Sequence, residues 1–196
     1  LLRCLPNDCF FGDLSTLIIL NMELGSKLPY FELKACDNQV RSLVDVADKS
    51  CVLVVFICNH CPYVQAYLDR LDKLVHKYYE DNLGVIFINS NDANQQPADS
   101  FENMQRLAEK YNWQSIYWYD ENQEVAKMFD AKRTPEAYLF NSNRELVYHG
   151  AIDDSWEAPG MVTRIWLEDA IEFTLDGLEV DYPEVAPVGC TIKWKS

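Results

Sequence analysis

Six apolar residues, Val52-Leu53-Val54-Val55-Phe56-Ile57, run without a break into Cys58-Asn59-His60-Cys61, and helical spacing opens at Pro62. No other stretch limits the fold as much. A continuous apolar, β-branched run is the pattern of a strand buried on both faces. Val64, Leu68, Leu71, Val75 and Tyr78 then recur at helical spacing, enough for about four turns. Two thiols two residues apart at such a junction suit reversible disulfide chemistry, because the sulfurs can meet without bending the chain far. A helix start also supplies unpaired N–H groups and a positive dipole end, and both favour a thiolate. A cysteine with a pKa near 8.5 is only about 3% ionised at pH 7, whereas one near 7 is about half ionised.

The rest of the chain builds around that junction. Leu28 to Leu43 reads as two short extended segments turning at Asp37-Asn38, an N-terminal β-hairpin. Leu83 to Asn89 is a second buried strand. Residues 91–98 are a polar loop, after which Asp99 or Ser100 caps a helix running to Tyr111. Tyr117 to Tyr119 is a short strand and 122–129 a short helix. Thr134-Pro135 precedes a hairpin, Ala137 to Phe140 and Leu146 to His149, turning at 141–143. Residues 161–176 carry an amphipathic helical pattern. Strands alternating with helices, then a late hairpin and helix, predict an α/β fold: a mixed central β-sheet with helices on both faces.

At 196 residues a single domain is expected, spanning 22–196. Residues 1–21 read as an extension outside the core. Their apolar Leu17-Ile18-Ile19-Leu20 lacks the basic start, long apolar run and small-residue cleavage site of a secretory signal. The net charge of −14 argues against nucleic acid as a partner, since phosphate binding needs clustered Lys and Arg. The longest apolar stretch is too short to span a bilayer, so no membrane partner is expected. Seven cysteines, odd in number and irregular in spacing, do not make a disulfide framework. Cys58 and Cys61 read as a redox pair, and Cys36 and Cys51 as core thiols, a pattern that suits a reducing, cytoplasmic setting. With no second ligand pair for zinc and no phosphate-cradling glycine loop, neither a metal nor a cofactor is expected.

Helix geometry suggests roles. With Asn59 as N-cap, Pro62 takes the third helical position, where its missing N–H costs nothing. Cys58 is then the more exposed, attacking thiol, and Cys61 the resolving one. An imidazolium at His60 would stabilise the Cys58 thiolate and make the pair more oxidising. Arg133 either adds positive potential at the site or is a plain surface arginine. Cys190 is either a tail cysteine packed under Trp194 or a third redox thiol.

Several segments together resemble the thioredoxin-like superfamily, in its alkyl hydroperoxide reductase/thiol-specific-antioxidant-like, or peroxiredoxin-like, branch. They are Phe56 to Val64, Asn91-Asp92, Ser100 to Met104, Tyr119-Asp120-Glu121, Gln123 to Ala126, Thr134-Pro135, Gly150 with Asp153-Asp154, and the Gly189 to Trp194 tail. The resemblance runs from about Met22 to Lys195. It implies a thioredoxin fold with Pro135 as its cis-proline, facing the redox pair beside Thr134. Two departures stand out. Val52 occupies the position of thioredoxin's buried carboxylate, and the peroxiredoxin P-x-x-x-T-x-x-C pattern is absent. Three functions follow. The first is a thiol–disulfide oxidoreductase in which Cys58 attacks and Cys61 resolves, acting on a thiol or disulfide substrate with a reductant the sequence does not name. The second is a thiol peroxidase, with a sulfenic acid at Cys58 resolved by Cys61 or Cys190. The third is a Cu(I)-binding protein using Cys58, Cys61 and His149.

Overall fold

Strand β3 (Cys51–Phe56) is the expected buried run, and each of its residues is shut off from solvent. A computed structural model describes the protein over residues 22–196, so the extension expected at 1–21, with Cys4 and Cys9, lies outside the described residues. β3 pairs in parallel with β4 (Leu83–Asn89) and antiparallel with β7 (Glu136–Phe140). Around this centre runs an eight-stranded mixed sheet in the order β2-β1-β5-β4-β3-β7-β8-β9. The outer strands on one side are β1 (Glu32–Ala35), β2 (Val40–Ser42) and β5 (Tyr117–Tyr119); on the other they are β8 (Leu146–Gly150) and β9 (Glu184–Val185). β1 and β2 are the predicted N-terminal hairpin, with Asn38 in the left-handed region at its turn.

Alternation along the strands separates two cores. One face of the sheet carries Leu53, Val55, Phe87, Ala137 and Leu139 and is covered by α1 (Pro62–Tyr78), α2 (Phe101–Tyr111) and α4 (Trp166–Leu175). Val64, Leu68 and Leu71 supply the buried stripe of α1, as their spacing predicts. The other face carries Val52, Val54, Phe56, Ile86 and Tyr138 and packs α3 (Glu124–Met128) with Phe31 and Phe129. Phe129 meets Phe31, Phe56, Tyr138 and Phe140 edge to face, which fixes this thinner layer. The mixed α/β architecture with helices on both faces is as expected from the sequence.

Two helix starts differ from expectation. The last helix begins at Trp166 rather than 161. Asp154 accepts the Thr163 N–H and hydroxyl and donates its own N–H to the Arg164 carbonyl, which holds 163–164 out of the helix. Helix α1 is capped by Cys61, not Asn59, so Pro62 takes the first helical position. Cys61 sits at φ −66°, ψ 124°, the extended conformation a residue before proline prefers. The proline therefore delays the helix until after the second cysteine. A last strand pair lies apart from the main sheet: β6 (Arg133–Thr134) pairs antiparallel with β10 (Cys190–Thr191), Thr134 opposite Cys190.

Candidate active site

The carboxyl ends of β3 and β4, the start of α1, the loop before Pro135 and the tail converge on three sulfurs. Cys58 and Cys61 are both 0% exposed, and Cys190 is half-buried. Cys61 Sγ lies 2.8 Å from Cys190 Sγ and 3.2 Å from the Thr134 carbonyl oxygen. Cys58 Sγ lies 3.2 Å from Thr134 Oγ1. The Thr134-Pro135 peptide bond is cis. The structure thus gathers Cys58, Cys61, Thr134, Pro135 and Cys190 at one place.

The exposure expected of Cys58 is corrected. With the helix starting after Cys61, the first cysteine is still inside the strand-end packing and has no route to solvent. The two sulfurs also sit in different fields. Cys61 is pushed down to about 5, first by the hydrogen bond from the Cys58 thiol and then, against the cost of burial, by the Cys190 thiol and the Val64 N–H of the first helical turn. Cys58 is pushed up, because it is the thiol that donates to Cys61, because it is buried, and because the Asp99 carboxylate is near; the Thr134 hydroxyl opposes this. Cys190 is raised to about 11, by burial and then by its partner Cys61. These fields favour the anion on the middle sulfur of the three, the one at the helix start, although the Thr134 carbonyl oxygen 3.2 Å away favours a thiol there.

His60 lies beside Cys58, and its ring is paired with a carboxylate. Its Nδ1 lies 2.5 Å from Oδ2 of Asp99, a carboxylate with no solvent exposure. Asp99 also accepts the Asn59 and His60 backbone N–H groups at 2.7 and 3.1 Å, and the Asn91 side-chain amide at 2.8 Å. Asn59, displaced from its expected capping role, instead accepts the Tyr117 hydroxyl and donates to the Ala98 carbonyl. Arg133 does not turn to the sulfurs; its guanidinium donates to the Gly189 carbonyl at 3.1 Å and so holds the tail. Cys58, His60 and Asp99 present ligand atoms within 4.8 Å of one another, but both Asp99 oxygens are already taken by four donors from the chain. His149 is not brought to the cysteines. It stacks on Tyr138, on the opposite face of the sheet, and contacts Glu136 at 2.8 Å.

Four polar residues that shape the site carry no role in the sequence reading. Asp99 is one; its signal was the surplus of cap-type residues at Asp99-Ser100, of which Ser100 alone caps α2. Glu136 is buried directly after the cis-proline, where it accepts the Lys132 and Arg133 N–H groups and the Tyr138 hydroxyl. Burial would raise this carboxyl, but the His149 ring and the two N–H groups bring it below its ordinary value. Asn91 and Gln123 hold the tail: Lys193 N–H reaches Asn91 Oδ1, and the Gln123 amide spans the Ser90 and Lys193 carbonyls and the Lys195 N–H.

Residues 24–149 match the AhpC/TSA family. The chain belongs to that family. It is a thioredoxin-like oxidoreductase. Among solved structures, an uncharacterized conserved protein from Geobacillus kaustophilus shares 40% identity over 89% of this chain and 93% of that one, with a TM-score of 0.83. A hypothetical protein from Sinorhizobium meliloti 1021 shares 33% identity over 90% and 97%, also at 0.83. A thiol:disulfide interchange protein of the thioredoxin family from Chlorobium tepidum TLS aligns at 0.60 with 11% identity over 77% and 97%, a likeness of fold. No curated protein matches the chain. No helix of the described residues is long and apolar enough to cross a membrane.

Proposed function

We propose that the protein is a thiol–disulfide oxidoreductase whose working bond is a reversible Cys58–Cys61 disulfide. The observation that supports this most is the gathering of the Cys58 and Cys61 sulfurs against Thr134 and its cis peptide bond at the start of α1, where the surroundings lower the pKa of Cys61 and raise that of Cys58. The roles differ from the sequence expectation. Cys61, as thiolate, attacks one sulfur of a substrate disulfide and expels the other as a thiolate. The Cys58 thiol then attacks Cys61, its proton passes to the departing substrate sulfur, and the Cys58–Cys61 bond closes. The same exchange run backwards oxidises two substrate thiols. Substrates on this reading are thiols or disulfides, and a second thiol system resets the pair.

The pair needs no metal or cofactor for this exchange. The reducing, cytoplasmic setting suggested by the cysteine pattern belongs to the same proposal, as does a single thioredoxin-like domain over 22–196. Insulin reduction by the pre-reduced protein tests the chemistry. Activity lost in Cys61→Ser, with a Cys58–Cys61 bond mapped in the oxidised wild type, is the expected result. Full activity in Cys61→Ser would overturn it.

One contact favours a second reading, peroxide reduction. The hydroxyl missing from the sequence pattern is supplied across the site by Thr134, 3.2 Å from Cys58 Sγ. Fast peroxide consumption with a sulfenate trapped at Cys58 would select that reading.

A further inference from the structure

The redox pair is sealed from solvent, and the tail lies against its second sulfur. Cys58 and Cys61 are 0% exposed, whereas Cys190 is partly open and touches Cys61 at 2.8 Å. The tail is built to stay in that place. β10 pairs with β6 so that Cys190 faces Thr134, next to the cis peptide bond. Gly189 runs so close that a Cβ there would lie 2.2 Å from the Thr134 carbonyl oxygen, so a side chain would push the strand off. Beyond the cysteine, Ile192 N–H bonds the Lys132 carbonyl, and Lys193 is held from both sides by Asn91 and Gln123 and by the Asp92 N–H. Three separate loops therefore fix one short segment, and its cysteine stands between Cys61 and the outside.

We propose that Cys190 is the thiol through which this oxidoreductase meets its substrate. The inference rests on the Cys58–Cys61 exchange described above and adds the route out of it. In the oxidised protein Cys190, as thiolate, attacks Cys61. The Cys58–Cys61 bond breaks, Cys58 leaves as a thiolate and takes up the proton lost from Cys190, and a Cys61–Cys190 bond forms. No net oxidation occurs in this step. An external thiol then attacks Cys190, forms a mixed disulfide with it and frees Cys61; a second external thiol releases the oxidised product. Two substrate thiols lose two electrons, and the pair ends as two thiols. The charge on Cys61 that helps keep Cys190 protonated in the reduced state disappears once Cys61 is in a disulfide, so Cys190 becomes a better nucleophile when it is needed. The substrate class is a thiol able to reach the surface at Cys190, whether on a small molecule or a protein.

The test uses the full chain oxidised with diamide, then mixed separately with glutathione and with reduced ribonuclease, with acid quenching and mass mapping of each cysteine. In wild type the Cys61–Cys190 bond should appear before product. In Cys58→Ser it should be the bond that accumulates. In Cys190→Ser the Cys58–Cys61 bond should form but be consumed at least tenfold more slowly by both thiols; slowing with ribonuclease alone would confine the route to protein thiols. Consumption in Cys190→Ser within twofold of wild type, or faster, would overturn the inference and leave the Cys58–Cys61 chemistry standing. Absence of any Cys58–Cys61 bond in both proteins would instead sink the underlying exchange.

Discussion

The loop that carries Cys58 and Cys61 and the tail that carries Cys190 meet at the same sulfurs but are held by different means. The loop hangs mainly on one buried carboxylate, Asp99, which takes two backbone N–H groups, an imidazole and an amide, while Asn59 adds contacts to Tyr117 and Ala98. The tail hangs on amides and backbone groups spread over three loops, among them the buried side chains of Asn91 and Gln123. A single buried anchor fails all at once, because every donor left behind is an unsatisfied group in a dry site. Several shared anchors fail one at a time. The support of the loop is therefore concentrated in one carboxylate, and that of the tail is shared among several groups.

The sharpest way to break this contrast is Asp99→Ala. It strands two buried N–H groups and should cost roughly 2–5 kcal/mol of stability, read as a lower urea midpoint at unchanged slope. A loss under 1 kcal/mol would mean that the loop has other support. Asp99→Asn keeps the shape but removes the charge, so Cys58 should become more acidic, seen as a second step in the ultraviolet thiolate absorbance.

The next effect is a pH dependence. A thiol near 8.5 in the unfolded chain that falls to about 5 in the folded one stabilises the fold fully above the unfolded value, and this contribution is lost as pH drops through 5. The stability difference between wild type and Cys61→Ser should therefore shift in favour of wild type from pH 5 to 8.5. A flat difference would place the charge on another sulfur.

On the tail side the effects should be smaller. Gln123→Ala removes buried contacts to the Ser90 and Lys193 carbonyls and the Lys195 N–H, so the Ile192 and Lys193 amides should exchange hydrogen about tenfold faster, with a smaller fall in urea midpoint than Asp99→Ala gives. A fall as large as that of Asp99→Ala would show that the two sides are held alike. Smallest of all, Arg133→Ala removes one exposed contact to the Gly189 carbonyl and should alter tail exchange by less than about threefold.

The same contrast explains what the sequence discloses. Strand β3, the α1 stripe and the hairpins follow from local rules, namely apolar runs, helical spacing and turn pairs, and the cis-proline follows from the family resemblance. The gathering of Cys58, Cys61 and Thr134 follows once the fold is known. The ordering of the two thiols does not, because it depends on partners distant in the chain: Asp99 beside Cys58, and Cys190 beside Cys61. The partner of His60 is hidden for the same reason. Two residues from a cysteine, His60 looks like a tuning group, and only tertiary structure brings in the carboxylate that occupies it. Asp99 itself is hidden by its resemblance to a helix cap. Glu136 could have been singled out, since a carboxylate opening the apolar run Ala137 to Phe140 must find donors wherever it is buried.

Gly150 sits at φ 145°, and a Cβ there would come within 1.8 Å of the Val185 carbonyl oxygen. With Gly189 it makes two eyelets on the route from β8 to the chain's last strand, each passable only where a hydrogen replaces a methyl. Between them the chain makes α4 and β9, which tie that route to the core of the sheet. A methyl at Gly150 would push Val185 from β8, and one at Gly189 would push Cys190 from Thr134.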